Sequence, residues 1–441
     1  MKKISSYLNQ LGFIAELLKW AVLAFLVALV TGSLVALFLF LLDVCTHFRW
    51  QNEWLLYLLP VAGVFIHFAY KWSGKNAEAG NNLIIDEIHK PGLGVPARMA
   101  PLILLTTLTT HLFGGSAGRE GTAIQIGGSM ANMLGKWLRL APKDIKIMLM
   151  AGVAAGFGAV FGTPVTGAVF ALEVLAIGRI KYNALLPCLM AAVFGDLVCS
   201  AWGIKHTAYH IVPAANTGIS IPFLHFDFIL IAGVIIAGVA FGLTGRGFAW
   251  LSHHIKDWSN NRITKHKWLI PVAGGCIIIA LTTLLGTTDY LGLGVTAKTA
   301  DGGSIVNSFH LHGVSSWGWL WKLLFTAITL GTGFKGGEVT PLFFIGAALG
   351  NTLSLFMPIP VDLLAGLGFI AVFAGATNTP LACTIMGVEL FGGEYILYYA
   401  IACYTAYYFS GHTGIYKAQK VAVPKHASWV GNETTSEAEN A

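Results

Sequence analysis

An uninterrupted apolar run from Ala21 to Leu42 sets the first limit on what this chain can become. It carries no charged side chain and exceeds the ~20 residues a helix needs to cross a bilayer. Further long apolar runs cover about 54–70, 96–113, 184–203, 225–252, 268–286, 317–332, 361–376 and 393–409. Of 441 residues, 55% are apolar and only 11% are Asp, Glu, Lys or Arg, against roughly 25% charged in soluble domains. So few charges cannot cover so much apolar surface in water. The chain therefore reads as an all-α polytopic membrane protein, which excludes a soluble enzyme, a nucleic-acid binder and a disordered chain. The net charge of +6 then belongs to loops facing anionic lipid and cytoplasm.

Between the long runs lie shorter, glycine-rich apolar pieces at 120–134, 147–160, 164–178, 338–356 and 380–391. They are too short or too broken for simple spans. Irregular backbone at membrane depth is tolerated only where protein buries it or where it lines an aqueous cavity. Several such pieces predict a transporter or channel built from broken, membrane-embedded helices.

The chain also repeats itself. Thr163-Pro164-Val165 leads ten residues on to Glu173, and Thr379-Pro380-Leu381 leads ten residues on to Glu389, an offset of 216. Gly118-Arg119-Glu120-Gly121-Thr122 aligns with Gly336-Gly337-Glu338-Val339-Thr340 at offset 218. Such duplications commonly give inverted repeats with the substrate site at their interface. The expected organisation is a first membrane repeat at 1–203, a polar linker at 204–224, a second repeat at 225–423 and a disordered polar tail at 424–441. Lys2 and Lys3 are followed by polar Ser5, Ser6, Asn9 and Gln10, which is not a cleavable signal. Residues 3–19 read as an amphipathic helix lying in the membrane interface.

The strongest chemical signal is Gly114-Gly115-Ser116-Ala117-Gly118-Arg119-Glu120-Gly121-Thr122. Glycines allow a tight turn and leave amides open. A helix starting near Glu120 offers free N–H groups and its dipole end to an anion. A carboxylate there can occupy that place itself and release it on protonation; the plainer alternative is a glutamate that only caps its helix. A second glycine turn, Gly331 to Pro341, presents Glu338 and Thr340, with Lys335 as a candidate ion partner for Glu338. A third segment, Gly80-Asn81-Asn82-Leu83-Ile84-Ile85-Asp86-Glu87, is amide-rich and also reads as a polar loop with solvated acids. Glu173 and Glu389 read as acids that tie helix ends together. The six cysteines form no C-x-x-C and read as small buried side chains. His253-His254, among Lys256, Arg262, Lys265 and Lys267, reads as a solvated basic loop. No metal-ligand spacing and no cofactor fingerprint is present, so neither is expected. Gly114-Gly115-Ser116-Ala117 lacks the G-x-S-G pattern of an intramembrane serine protease, and Asp196 has no evident partner in sequence. An enzyme is not expected.

These motifs resemble the CLC family of anion channels and transporters. Gly118-Arg119-Glu120-Gly121 matches the family's G-R-E-G-P gating motif apart from Thr122. Gly336-Gly337-Glu338-Val339-Thr340-Pro341 sits where the family has G-G-x-F-x-P, and Ile415-Tyr416 matches its anion-contacting tyrosine. The resemblance covers roughly residues 20–420. It implies CLC-type inverted repeats, a homodimer with one anion path per subunit, and the Thr-Pro…Glu segments at the dimer interface. It also implies that the nucleotide-binding cytoplasmic domains of many members are lacking, since about 25 residues follow Tyr416. Asn81 stands where chloride-type members have their anion-binding serine. Glu338, Val339 and Thr340 replace I-F-A, and Val174 stands at the family's inner proton glutamate. These departures are similar to the fluoride/proton antiporter branch, although Ile84 and Glu87 stand where some of its members carry phenylalanines. The resemblance thus implies export of fluoride in exchange for protons, with a chloride/proton exchanger or chloride channel as the alternative. Glu120 is the expected gate, with Glu338 and Thr340 as partners in the proton step. Asn81, Gly118, Arg119, Gly121, Thr122, Val339 and Tyr416 are the expected anion-binding positions. Lys2, Lys3, Lys19, Lys71, Lys75, Lys90 and Arg98 place the N-terminus in the cytoplasm by the positive-inside rule, in a prokaryotic inner membrane.

Overall fold

The first apolar run lies inside one long helix, α1 (Lys2–Gln51). In this computed structural model residues 2–212 and 228–426 are described, with side chains from residue 12 onward. No proline interrupts α1, so the stretch 3–19 is continuous with the span and does not form a separate interfacial helix. Lys19, near the point where the run begins, reaches the Asp144 carboxylate at 2.9 Å.

A 3₁₀ turn (Glu53–Leu58) leads into α2 (Leu59–Ala69), and a widened turn (Tyr70–Gly74) follows. Next come α3 (Asn81–His89), α4 (Met99–Leu112), α5 (Glu120–Trp137), α6 (Pro142–Phe161) and α7 (Pro164–Glu173). The two-residue strand β1 (Ala176–Ile177) and α8 (Leu185–Ala201) complete the first half. The second half holds α9 (Phe228–Arg262), α10 (Leu269–Leu285), α11 (Gly318–Gly331), α12 (Val339–Leu353), α13 (Val361–Thr377), α14 (Pro380–Phe391) and α15 (Ile396–Phe409). Strand β2 (Lys420–Val421) pairs in parallel with β1, Ala176 opposite Lys420. The fold is all-α and polytopic apart from this small ladder.

Among the described residues, five helical segments are long and apolar enough to cross a membrane. Pro142–Phe161 is one of them, so the piece at 147–160 belongs to a full span. The helices α5, α7, α12 and α14 are buried interior pieces, as their glycine content anticipates. Small residues let α5 lie on α6 and α12 on α13. A Cβ on Gly127 would stand 2.0 Å from the Gly152 carbonyl oxygen, and one on Gly346 would stand 2.0 Å from that of Gly368. Backbone contact of this kind is how helices associate where lipid removes the hydrophobic drive.

The two halves exchange the same bonds. Glu389, on α14, accepts from the Val165 and Thr166 amides (2.9 and 2.8 Å) and the Thr166 hydroxyl (2.6 Å). Glu173, on α7, accepts from the Leu381 and Ala382 amides (3.0 and 2.8 Å). Each Thr-Pro helix therefore has its open N-terminal amides capped by the glutamate of the other. The Thr329 hydroxyl accepts from the Ser116 amide (3.2 Å), and the Thr110 hydroxyl accepts from the Lys335 amide (3.3 Å).

Several expectations are corrected. Residues 81–89 are a helix rather than a loop, and Glu87 is buried, accepting from the Gly92 and Gly94 amides. His253-His254 lies within α9, and His253 bonds the Gly414 carbonyl at 3.0 Å. Cys276 is exposed and Cys45 half-buried, because each lies on an outward face of its helix. Asp196 has a neighbour, the His206 ring nitrogen at 3.6 Å. The first part of the 204–224 linker is packed: Tyr209 stacks on Phe309 and meets Phe369 edge-on, and the Val212 amide donates to Asp362. Residues 213–227 lie outside the described residues. The tail expected from 424 begins with an anchored residue, since the Lys425 ammonium donates to Asn378 (2.6 Å) and Ser410 (3.1 Å) and stands over the Tyr407 ring. Its remainder from 427 lies outside the described residues.

The cross-caps give a direct test. Glu173→Ala leaves two amides at the start of α14 unpaired in a buried setting, costing about 2 kcal/mol. Glu173→Gln keeps an acceptor and is expected to recover part of that. Thermal unfolding in detergent measures both, and an unchanged midpoint in Glu173→Ala would remove the tie from the account of stability.

Candidate functional site

The two glycine turns meet back to back. The Gly118 amide donates to the Gly337 carbonyl at 2.6 Å, and the Gly337 amide donates to the Gly118 carbonyl at 2.8 Å, an antiparallel bridge between the repeats. A Cβ on Gly118 would stand 2.6 Å from a Glu120 carboxylate oxygen and 3.0 Å from the Gly337 carbonyl. A Cβ on Gly337 would stand 2.8 Å from the Gly121 nitrogen. Only glycine permits this approach.

The bridge also corrects the repeat register. Gly118 opposes Gly337, and Arg119 and Glu338 hold the same cap position before α5 and α12. The offset is therefore 219. Glu338 stands in the place of Arg119, Val339 in that of Glu120, and Thr340 in that of Gly121. The sequence alignment was one residue short because Gly336 and Gly337 are adjacent and either can match Gly118.

Neither α5 nor α12 is capped by the side chain of its own cap residue. Glu120 is fully buried, and its carboxylate reaches beyond its own helix. It accepts from the Thr340 amide (3.1 Å), the Thr340 hydroxyl and the Arg119 amide (3.2 Å). Among the described residues no lysine, arginine or histidine lies within ion-pair distance of it. A negative group is thus held by neutral donors at the N-terminus of α12, where backbone dipoles favour negative charge.

Asn81 begins α3, and its amide nitrogen stands 3.3 Å from the Cβ position of Gly121. Its Oδ1 is buried without a hydrogen-bond partner. The Tyr416 hydroxyl is likewise buried and unpartnered. Both residues line a small cavity of about 20 Å³ with Ile84, Ile124, Phe170 and Val174, room for one water-sized body. On the far side of Glu120, a cavity of about 10 Å³ is lined by Arg119, His206, Tyr209 and Thr340. Arg119 also lines a wider vestibule of about 380 Å³ with Arg49, Lys205, His206 and Lys298. Glu120 therefore stands between the small space at Asn81 and Tyr416 and the basic space at Arg119.

Other expected positions divide. Gly118 and Gly121 serve through backbone approach, and buried Val339 can offer only its amide. The Thr122 hydroxyl is turned to Thr107 at 2.7 Å, tying α5 to α4. Lys335 forms no ion pair with Glu338; its ammonium stands 4.2 Å over the Tyr70 ring. The half-buried Glu338 carboxylate forms no ion pair among the described residues. Sequence reasoning missed His206 and Tyr209, brought to the basic cavities by the polar connection after α8, and Arg49, near the end of α1.

A family model described as voltage gated chloride channel matches residues 61–411. A chloride/fluoride channel protein of Pseudomonas syringae pv. tomato is 49% identical over 424 residues, 95% of this chain and 90% of the relative. The crystal structure of a CLC-type fluoride/proton antiporter superposes with a TM-score of 0.85 at 33% identity, covering 92% of this chain and 98% of that one. A slow cyanobacterial chloride/proton antiporter shares the fold, with a TM-score of 0.74 at 20% identity over 90% of this chain and 96% of that one. A membrane protein with this architecture and these relatives belongs to the CLC family of anion channels and transporters.

Proposed function

We propose that the protein exports fluoride in exchange for protons, with Glu120 as the gate. The observation that carries this reading is the Glu120 carboxylate itself. It is a tethered anion held by the Arg119 amide and by the Thr340 amide and hydroxyl, where a free anion would sit. An arriving anion displaces it, and protonation removes its claim on the donors. One proton and one anion thereby compete for one place, which is the requirement of an exchanger.

Fluoride suits such a site chemically. It is small, hard and slow to give up water, so it needs strong donors. The Thr340 hydroxyl, the Asn81 amide and the Tyr416 hydroxyl supply them without a formal positive charge. The names of the 49% identical relative and of the 33% identical structure support fluoride as the cargo. With Val174 at the family's inner proton position, Glu338 takes the inner proton role: its carboxylate, held by no cation and one residue from α12, receives a proton and then donates to the anion or to Glu120.

The working unit is proposed as a homodimer of two-repeat subunits (1–203 and 225–423) joined through α7, α8, α14 and α15. The outer surfaces of α7, α8 and α15 expose Val165, Leu186, Leu197, Ile396 and Tyr404. The membrane is proposed as a prokaryotic inner membrane with the N-terminus in the cytoplasm. The ends of α2, α5 and α9 that lie on the side where α1 begins carry Lys71, Lys136 and Lys256, in keeping with the positive-inside rule.

Three measurements in proteoliposomes, recording fluoride and pH together, test the reading. Glu120→Gln keeps the shape and cannot titrate; fluoride movement is expected to continue without proton movement, and intact coupling would end the gate assignment. Asn81→Ser replaces two N–H donors by one O–H; chloride flux is expected to rise relative to fluoride by about tenfold, the equivalent of one hydrogen bond at ~1.4 kcal/mol. An unchanged ratio would leave Asn81 as a helix start only. Glu338→Gln is expected to stop proton exchange, and Thr340→Ala to slow fluoride exchange by about tenfold. Wild-type coupled rates in both variants would reduce the pair to structural caps.

A further inference from the structure

A second charged cavity lies away from the anion path. It is a cleft of about 430 Å³ between the ends of α2, α9, α10 and α11, on the face where α1 begins. Five lysines line it: Lys71 after α2, Lys256 on α9, Lys265 and Lys267 in the loop to α10, and Lys335 on the second glycine turn. Against these five ammonium groups the cleft holds one carboxylate, Glu78. Among the described residues none of the five forms an ion pair. Lys335 stands 4.2 Å over the Tyr70 ring and Lys71 5.7 Å over that of Phe68. Cations that repel one another and lack acidic partners are kept together at a cost that an anionic occupant removes.

The surroundings say what kind of anion. The cleft lies at the foot of α2 and α10, which pack closely: a Cβ on Gly63 would stand 2.7 Å from Pro271, and one on Gly275 2.8 Å from Pro60. The outer faces of this pair are apolar and exposed at Val61, Phe65, Leu269 and Ile277. Trp268, at the cleft, and Trp72, beside Phe68, are exposed at the same end. Tryptophan at the end of an apolar helix marks the headgroup level of a bilayer. A basic pocket opening between spanning helices at that level, beneath an apolar wall, matches a phosphate on a pair of acyl chains. A soluble phosphate would use the lysines and leave the wall bare.

We propose that this cleft binds the headgroup of an anionic phospholipid, its phosphate among Lys71, Lys265, Lys267 and Lys335 and its chains along α2 and α10. The binding does not depend on which anion the protein transports. It reaches the transport machinery through Lys335, three residues before Glu338 on the same turn.

The test uses full-length protein in neutral detergent, with retained lipid read by native mass spectrometry. Phosphatidylglycerol, phosphatidylcholine and inorganic phosphate are the probes. The wild type is expected to retain phosphatidylglycerol and neither of the others. The double variant Lys265→Gln/Lys267→Gln lies on an exposed loop and leaves the packing untouched. It is expected to hold phosphatidylglycerol about 25-fold more weakly, since each of the two lysines at an anionic surface contributes a factor of about five. The single variant Lys143→Gln, at an exposed position outside the cleft, is expected to bind as the wild type does. Equal retention of phosphatidylglycerol and phosphatidylcholine overturns the proposal. So does unchanged binding in the double variant, or displacement of the lipid by inorganic phosphate.

Discussion

The antiparallel bridge between Gly118 and Gly337 is the constraint on which the rest of this structure depends. Two hydrogen bonds hold the repeats together where neither turn has a side chain. Because the turns touch, α5 and α12 start within reach of one another. Because they start there, the carboxylate of Glu120, one residue into α5, falls on the amide and hydroxyl of Thr340, two residues into α12. Any Cβ at the bridge would push the turns apart and take the donors away from the acid.

The same rule, one repeat capping the other, operates at three levels. Glycine carbonyls and amides are exchanged at the bridge, threonine hydroxyls and amides beside it, and glutamates and helix N-termini at α7 and α14. Half-length helices leave open amides inside a membrane, where water cannot satisfy them. Reciprocal caps supply the partners, and the duplication supplies the reciprocity. The exception is at Glu120, which caps α12 through the Thr340 amide, whereas its counterpart Val339 cannot cap α5. A cap without its reciprocal leaves one of the two converging N-termini open.

Much of this was legible in the chain. Composition alone determined the membrane class, since apolar area and charge count scale with the whole molecule. The Thr-Pro…Glu repeats pointed to Glu173 and Glu389 as acids that tie helix ends, but not to the cross-repeat partner each one caps. The register of the glycine turns was not legible, since Gly336 and Gly337 match Gly118 equally well and only backbone pairing separates them. Nor was the direction of Thr122, whose hydroxyl follows Thr107 on a neighbouring helix. Glu87 and His253 looked solvated because their partners, the donating amides of Gly92 and Gly94 and the accepting carbonyl of Gly414, lie outside their own helices.

Where the nearby cations go completes the physical picture. Arg119 and Lys335 each flank a glycine turn, and either could have been aimed at the anion. Instead the Arg119 side chain lines the outer cavities, and the Lys335 ammonium turns to Tyr70 in the opposite direction. What remains at the centre is neutral: amides, the Thr340 hydroxyl, the Asn81 amide and the Tyr416 hydroxyl. A formal positive charge in so dry a place would hold a small, hard anion too tightly to release it, whereas conduction needs binding weak enough to leave. It would also hold Glu120 ionised against every proton. In the proposed exchange, neutral donors would keep the carboxylate, the anion and the proton close in free energy, and the displaced cations would still raise the local anion concentration from a distance.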